Sequence, residues 1–224
     1  MDALRKLHNQ VKKDFIREWC RPGQKVLDCG CGRGGDLHKW NGQRVHLYMI
    51  DPDPASMREA ELRALEAGYG VWFLPPGDIR SAITLGDTWD IVCYNFSIHY
   101  IFESPILIQN SCEAIGKAVR PGGYLIGITP DKALIESVLN FNSKLVDSIG
   151  NEIEKVSPER LKVRLTDGPF YAGEAREEPI LDRDQLINSL LIFGFELIHW
   201  GPMLPKPNGM ISDIYSKFVF RKIR

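Results

Sequence analysis

The stretch Val-Leu-Asp-Cys-Gly-Cys-Gly-Arg-Gly-Gly-Asp, from Val26 to Asp36, constrains this chain more than any other. An apolar run feeds a loop holding Gly30, Gly32, Gly34 and Gly35, and a helix is predicted from Asp36 to Trp40. Glycines adopt positive φ and let backbone pass close to a ligand. A strand, a glycine loop and a helix in that order predict an open α/β sheet. Ligands bind such sheets at the C-terminal ends of the strands.

The rest of the chain repeats the alternation. Leu4, Leu7, Val11, Phe15 and Ile16 recur at helical spacing, predicting an amphipathic helix that ends near Trp19. Strands are predicted at Lys25–Asp28, His46–Ile50, Val71–Leu74, Trp89–Asn95 and Tyr124–Ile128. Helices are predicted at Pro54–Ala67, Pro105–Val119, Asp131–Leu139 and Asp184–Phe193, with strands at Phe195–Trp200 and Lys217–Lys222. The fold class is therefore α/β, doubly wound. Residues 140–178 are the least regular and read as an insertion. Pro202, Pro205 and Pro207 mark 201–209 as a loop or lid. No linker interrupts the pattern, so a single domain over residues 1–224 is expected.

Composition excludes several classes. Lys and Arg number 28 against 29 Asp and Glu, a net charge of -1. A sequence-blind nucleic-acid coat relies on many phosphate contacts and is not expected, although a local basic groove is compatible with that balance. No run approaches about 18 consecutive apolar residues, and Met1–Gln10 is mixed and charged. Neither a membrane span nor a secretory signal is expected. The five cysteines are an odd set, and Cys29 and Cys31 are too close to bridge easily. Buried thiols in a reducing compartment are expected, without a structural zinc.

The glycine spacing is G-x-G-x-G-G, not the dinucleotide pattern with its third glycine on the helix. Asp28 precedes the first glycine, where a pyrophosphate would be repelled and a ligand with a cationic end favoured. Asp51 ends the next strand, placed for ribose hydroxyls. Asp78 follows the third, where it reads either as an acceptor for an adenine amino group or as a plain turn cap. Ile79 beside it is expected to cover the ring. After the fourth strand comes Asn-Phe-Ser-Ile-His-Tyr-Ile-Phe-Glu-Ser, Asn95 to Ser104. Phe96, His99 and Tyr100 there suit a flat base; taken singly, each aromatic is an ordinary core residue.

These strings together resemble the eukaryotic and viral mRNA cap guanine-N7 methyltransferases. The resemblance runs from His8–Ile16 through G-R-G-G-D-L-H-K-W, H-Y-I-F-E-S, R-P-G-G-Y-L-I-G-I-T-P-D and Gly150–Ile153 to I-Y-S-K-F-V-F-R-K. It implies a Rossmann-like class I sheet, mostly parallel with an antiparallel C-terminal strand, and S-adenosylmethionine as cofactor. It implies capped mRNA (a GpppN 5′ end) as substrate, an intracellular setting in nucleus or cytoplasm, and guanylyltransferase and triphosphatase activities on another domain or subunit. The segment at about 140–180 would be a cap-binding insertion.

By that resemblance Lys12 holds the cofactor carboxylate, and Gly30, Asp51 and Asp78 serve the methionine, ribose and adenine parts. Asn95 stands where the family usually has Gln. Tyr100 sits where the two ligands meet, and His99 with Phe96 and Tyr100 forms the guanine pocket. Arg33, Lys39 and Arg63 resemble the triphosphate set; alone, Lys39 and Arg63 would read as solvated helix charge. Glu178 aligns with the carboxylate that reads the guanine edge, with Glu174 and Glu177 as the other candidates; the plain alternative is one more carboxylate in an acidic loop. Tyr215 closes the pocket and Pro130 lies on the substrate side. Where the family often shows two Asn before Lys12, this chain has His8 and Asn9. Two other readings stay open: a class I methyltransferase of small molecules or proteins, and a non-catalytic cap-binding subunit.

Overall fold

The computed structural model describes residues 3–166 and 174–224. Part of the expected insertion, 167–173, lies outside the described residues. Helix α1 spans Ala3–Trp19, and strands and helices then alternate. They run β1 (Lys25–Cys29), α2 (Leu37–Trp40), β2 (His46–Ile50), α3 (Pro54–Glu66), β3 (Val71–Phe73), α4 (Ile79–Ala82) and β4 (Trp89–Asn95). Next come α5 (Pro105–Ala118), β5 (Val119–Pro130) and α6 (Lys132–Leu139). Four short strands follow: β6 (Lys144–Val146), β7 (Glu152–Ser157), β8 (Arg160–Arg164) and β9 (Ala175–Pro179). Helix α7 (Arg183–Ile192) and strands β10 (Phe195–Pro202) and β11 (Tyr215–Lys222) complete it.

The main sheet has seven strands in the order β10-β11-β5-β4-β1-β2-β3. The first five strands of the chain run parallel, and β11 lies antiparallel to both of its neighbours. The central strands are fully buried because helices cover both faces, which is why they read as unbroken apolar runs. One face packs Leu27, Val92, Leu125 and Phe220 under α5 and α7. The other packs Val26, Met49, Ile91 and Ile126 against Phe15 and Ile16 of α1. Burying those two side chains stabilises the docked helix by about 1.5–3 kcal/mol each.

The expected elements recur with local differences. Strand β5 begins at Val119, because Trp89 pairs Val119 and Ile91 pairs Tyr124, so Arg120–Gly123 bulge out between two paired stretches. Residues 201–209 are not an open lid throughout. Gly201 and Pro202 extend β10, and Met203 and Leu204 are buried in the core beneath α1. The irregular stretch holds an ordered antiparallel sheet, β6-β7-β8-β9. Its Ile153, Leu161 and Val163 pack with Ile135, Leu139, Ile211 and Ile214 in a core of their own. No described helix is long and apolar enough to cross a membrane.

Candidate active site

Parallel strands bring the loops after β1 to β5 to one edge of the sheet. The first three are stitched together there. Gly30 N and Cys31 N donate to Ile50 O at 2.8 and 3.2 Å, and Gly77 N donates to Asp51 O at 3.0 Å. Asp51 Oδ2 accepts from Gly32 N at 2.8 Å and its Oδ1 from Asp53 N at 2.9 Å, so this carboxylate fixes the glycine loop as well as standing at a strand end. Gly30 has φ +71°, and a Cβ on it would lie 2.5 Å from Ser97 Cβ. Strain and collision both demand glycine there. Ser97 Oγ in turn donates to Cys29 O at 2.7 Å, locking the β4 loop onto the β1 loop.

Asp78 caps α4 by accepting from Arg80 N at 2.9 Å, and it also holds the Arg80 guanidinium at 2.5–3.0 Å. The turn-cap geometry is thus present at a residue also expected to bind adenine. Ile79 departs from expectation. Its side chain is buried with Leu27 and Ile50, because it opens α4 facing the sheet, and it offers no free face to a ring.

A buried charged hub lies beside the glycine loop. Asp36 Oδ1 accepts from Lys12 Nζ at 2.5 Å and from Lys39 Nζ at 2.6 Å, and its Oδ2 accepts from Asn95 Nδ2 at 3.1 Å. Burial alone would push the Asp36 carboxyl up, but Lys12 and then Lys39 outweigh it and hold it well below the usual carboxylate range. Asp28, 2% exposed, accepts from Trp40 Nε1 at 3.0 Å. Burial, reinforced by the Asp36 charge, pushes Asp28 up to about 7. Asn95 Oδ1 is a buried acceptor with no hydrogen-bond donor among the described residues.

Lys39 corrects the expected basic trio. The residue is 1% exposed, and Nζ is spent on Asp36 and on Gly35 O at 3.0 Å. It is neither a solvated helix charge nor free to meet a phosphate, because α2 turns it inward under the glycine loop. Arg33 and Arg63 are half-exposed, and both contact one carboxylate, Glu59.

The expected base pocket assembles from four separate segments. Phe96 follows β4 with φ +61°, unusual for a non-glycine residue, and its N–H donates to Ile128 O at 2.7 Å. Its ring meets the Tyr215 ring edge-on at 4.8 Å and stacks with the His8 ring at 6.0 Å, while Lys12 Nζ lies 5.4 Å from its centroid. Tyr215 is paired with Pro130 across β11 and β5. His99, 2% exposed, packs on Tyr100 with ring centroids 4.2 Å apart.

Glu178 on β9 closes the group: Tyr100 Oη donates to its Oε1 at 2.9 Å, and His99 Nε2 lies 3.4 Å from its Oε2. Burial and then the Glu178 charge push the phenols of both Tyr100 and Tyr215 up, so one carboxylate bears on the whole group. Among the three candidate acids, strand register distinguishes Glu178. It pairs with buried Leu161 and is 7% exposed, whereas Glu177 pairs with Lys162, is exposed and meets Arg160 at 3.5 Å. Glu174 is exposed before β9.

Sequence reasoning gave no role to four residues here. Asp36, read only as a helix start, is the hub; its signal was Lys39 three positions on. His8 bonds Ser212 at 2.7 Å, fastening α1 to the turn before β11. Ser97 and Glu59 carried no signal beyond position.

The sequence matches the mRNA (guanine-N(7))-methyltransferase domain over residues 1–68 and 81–173. The chain belongs to that family. An mRNA cap guanine-N(7) methyltransferase of Cryptococcus neoformans is 33% identical over 216 residues, covering 88% of this chain and 31% of that protein. The Saccharomyces cerevisiae mRNA cap guanine-N(7) methyltransferase is 30% identical over 75% of this family member and 42% of the yeast protein. A probable mRNA-capping enzyme of Acanthamoeba polyphaga mimivirus is 28% identical over 73% of this chain and 18% of its own length. The chain thus spans well under half the length of these relatives. In fold it is similar to a S-adenosylmethionine-dependent methyltransferase from Clostridium acetobutylicum, with TM-score 0.69 at 13% identity, covering 99% of this chain and 92% of the other. The glycopeptide N-methyltransferase MtfA, solved with S-adenosylmethionine, gives TM-score 0.64 at 14% identity over 96% and 93%. The family member therefore has the class I methyltransferase fold.

Proposed function

We propose that this chain transfers a methyl group from S-adenosylmethionine to N7 of the guanine in the 5′ GpppN cap of mRNA. The observation that carries the reading is Glu178. A second sheet delivers its carboxylate onto Tyr100 and beside His99. The neighbouring polar groups fit a zwitterionic amino acid: Lys12 for a carboxylate, Asp28 and Asn95 Oδ1, which has no partner among the described residues, for an ammonium. Family membership supports the same substrate.

When bound, S-adenosylmethionine supplies a sulfonium methyl, which guanine N7 takes by in-line displacement. Neutral guanine keeps a free lone pair on N7, so no side chain has to remove a proton and His99 is not assigned as a base. In this reading Asp51 accepts from the ribose hydroxyls, Asp78 from the adenine amino group, and Gly30 lets the backbone close on the methionine part. Phe96, Tyr100 and Tyr215 wall the guanine, with His99 and Pro130 at its margins. Glu178 accepts from the guanine N1 and amino hydrogens. Methylation makes the base cationic, so a fixed carboxylate holds it more strongly as charge develops. The remaining work is orientation, worth effective molarities on the order of 10⁵ M or more. Arg33 and Arg63 meet the triphosphate; Lys39 and Ile79 drop out of the set.

The earlier capping steps would come from another chain or segment, in whichever compartment, nucleus or cytoplasm, the RNA is capped. The test is transfer of labelled methyl from S-adenosylmethionine to GpppG-capped RNA, with uncapped RNA alongside. Label is expected at N7 of the capped RNA alone. Equal labelling of both RNAs, or of neither, overturns the proposal.

A further inference from the structure

Arg33, on the glycine loop, and Arg63, in the last turn of α3, are the two basic residues of the expected set that stay near the surface. They do not stand apart. Arg33 Nε lies 3.3 Å from one oxygen of the Glu59 carboxylate, and Arg63 Nη2 contacts the other. Glu59 sits one helical turn before Arg63, so the second pair follows from i,i+4 geometry. The first does not: it joins α3 to the glycine loop. Two guanidinium groups that each take one oxygen of a single carboxylate converge on a space the size of one anionic group. A phosphate presents oxygens at similar spacing and the same charge-assisted hydrogen bonding.

We infer that Glu59 is a built-in competitor for the phosphate chain of the substrate: it occupies the Arg33–Arg63 site until a phosphate displaces it. This rests on the proposed cap-methylating function and adds a residue that sets the threshold for phosphate recognition. All three side chains are between a third and a half exposed, and exposed ion pairs are individually weak. The carboxylate is therefore strong enough to hold the arginines in register and weak enough to yield to a more highly charged group. A guanosine without phosphates has no need to displace it, so Glu59 costs affinity only for ligands that bring a phosphate chain and sets how strongly that chain must bind. Weak stray monoanions meet an occupied site.

The experiment measures dissociation constants for GpppG and for guanosine by calorimetry with Glu59→Gln, a surface change that keeps the side chain's shape. Two exposed pairs of this kind correspond to an expected three- to tenfold tightening, roughly, for GpppG, with guanosine unchanged. Glu61→Gln, on the same helix and exposed, carries the same charge change and should leave GpppG binding where it was. In an Arg33→Ala, Arg63→Ala background, Glu59→Gln should have no effect. Unchanged or weaker GpppG binding in Glu59→Gln, or equal tightening in Glu61→Gln, overturns the competitor role. If Arg33→Ala still weakens GpppG more than guanosine in that event, the arginines keep their assignment and only Glu59 loses its own. If neither arginine matters to GpppG, the competitor role falls with the triphosphate assignment. Failure of the unmodified chain to bind GpppG strikes the proposed function itself.

Discussion

Asp28 and Asp36 stand at either end of the glycine loop, and the fold treats them oppositely. Asp36 has two ammonium partners and stays ionised; Asp28 has an indole N–H and is pushed up to about 7. The sign of the consequence follows from linkage. Between about pH 4 and pH 7 the native chain holds a proton on Asp28 that the unfolded chain has released, so Asp28's contribution to stability declines as pH rises through that window. Asp36 works the other way: its contribution is present above the unfolded carboxyl range and is lost as pH falls below it. Asp28→Asn keeps an acceptor for Trp40 and removes the first dependence. Its melting temperature relative to the parent should rise steadily from about pH 5 to about pH 7.5; a pH-independent difference would refute this.

At the same scale, Glu178→Gln should lower kcat/KM for capped RNA by roughly 10² or more while leaving cofactor binding, read by calorimetry, unchanged. Loss of cofactor affinity instead would mean Glu178 supports the fold of the site rather than the acceptor.

At the scale of elements, α1 is fastened at two points one turn apart. Lys12 ties it to Asp36 on the glycine loop and His8 ties it to Ser212 before β11. The hub is asymmetric. Asp36→Ala leaves Lys39 buried without a counter-charge and should cost about 3–5 kcal/mol of unfolding free energy. Lys12→Ala leaves Asp36 still paired to Lys39 and should cost far less in the same denaturant titration. Equal losses would show that the hub is not organised around Lys39.

The central strands of the main sheet were legible because they are buried on both faces and therefore mostly apolar. The second sheet was not. Strands such as Glu-Ile-Glu-Lys-Val-Ser and Arg-Leu-Lys-Val-Arg bury only one face and carry charge on the other, and β9 reads Ala-Arg-Glu-Glu-Pro with no large apolar side chain. The pocket aromatics were legible as a cluster after β4. The inward turn of Lys39 was not, because a four-residue helix has too little periodicity to reveal which way a lysine points. Glu178 could be separated from Glu177 only by strand register, which no single sequence displays.

Over the whole molecule, a net charge of -1 leaves little general attraction for RNA. If Arg33 and Arg63 are the phosphate contacts, about two phosphates are neutralised, and log K against log salt should slope by about −1 to −2. A slope steeper than about −4 would reveal a basic surface elsewhere on the chain, or carried by a longer form of it.

The two sheets have a further consequence. The charged hub and glycine loop rest on the seven-stranded sheet, whereas Glu178 hangs from a four-stranded one whose Ile153, Leu161 and Val163 pack in a core of their own. In the proposed reading, the main sheet holds the cofactor and the walls of the guanine pocket, and the second sheet adds the one carboxylate that reads the guanine edge. On that reading, a changed hairpin at β7 to β9 would alter how the acceptor's edge is read while the hub and glycine loop stay in place.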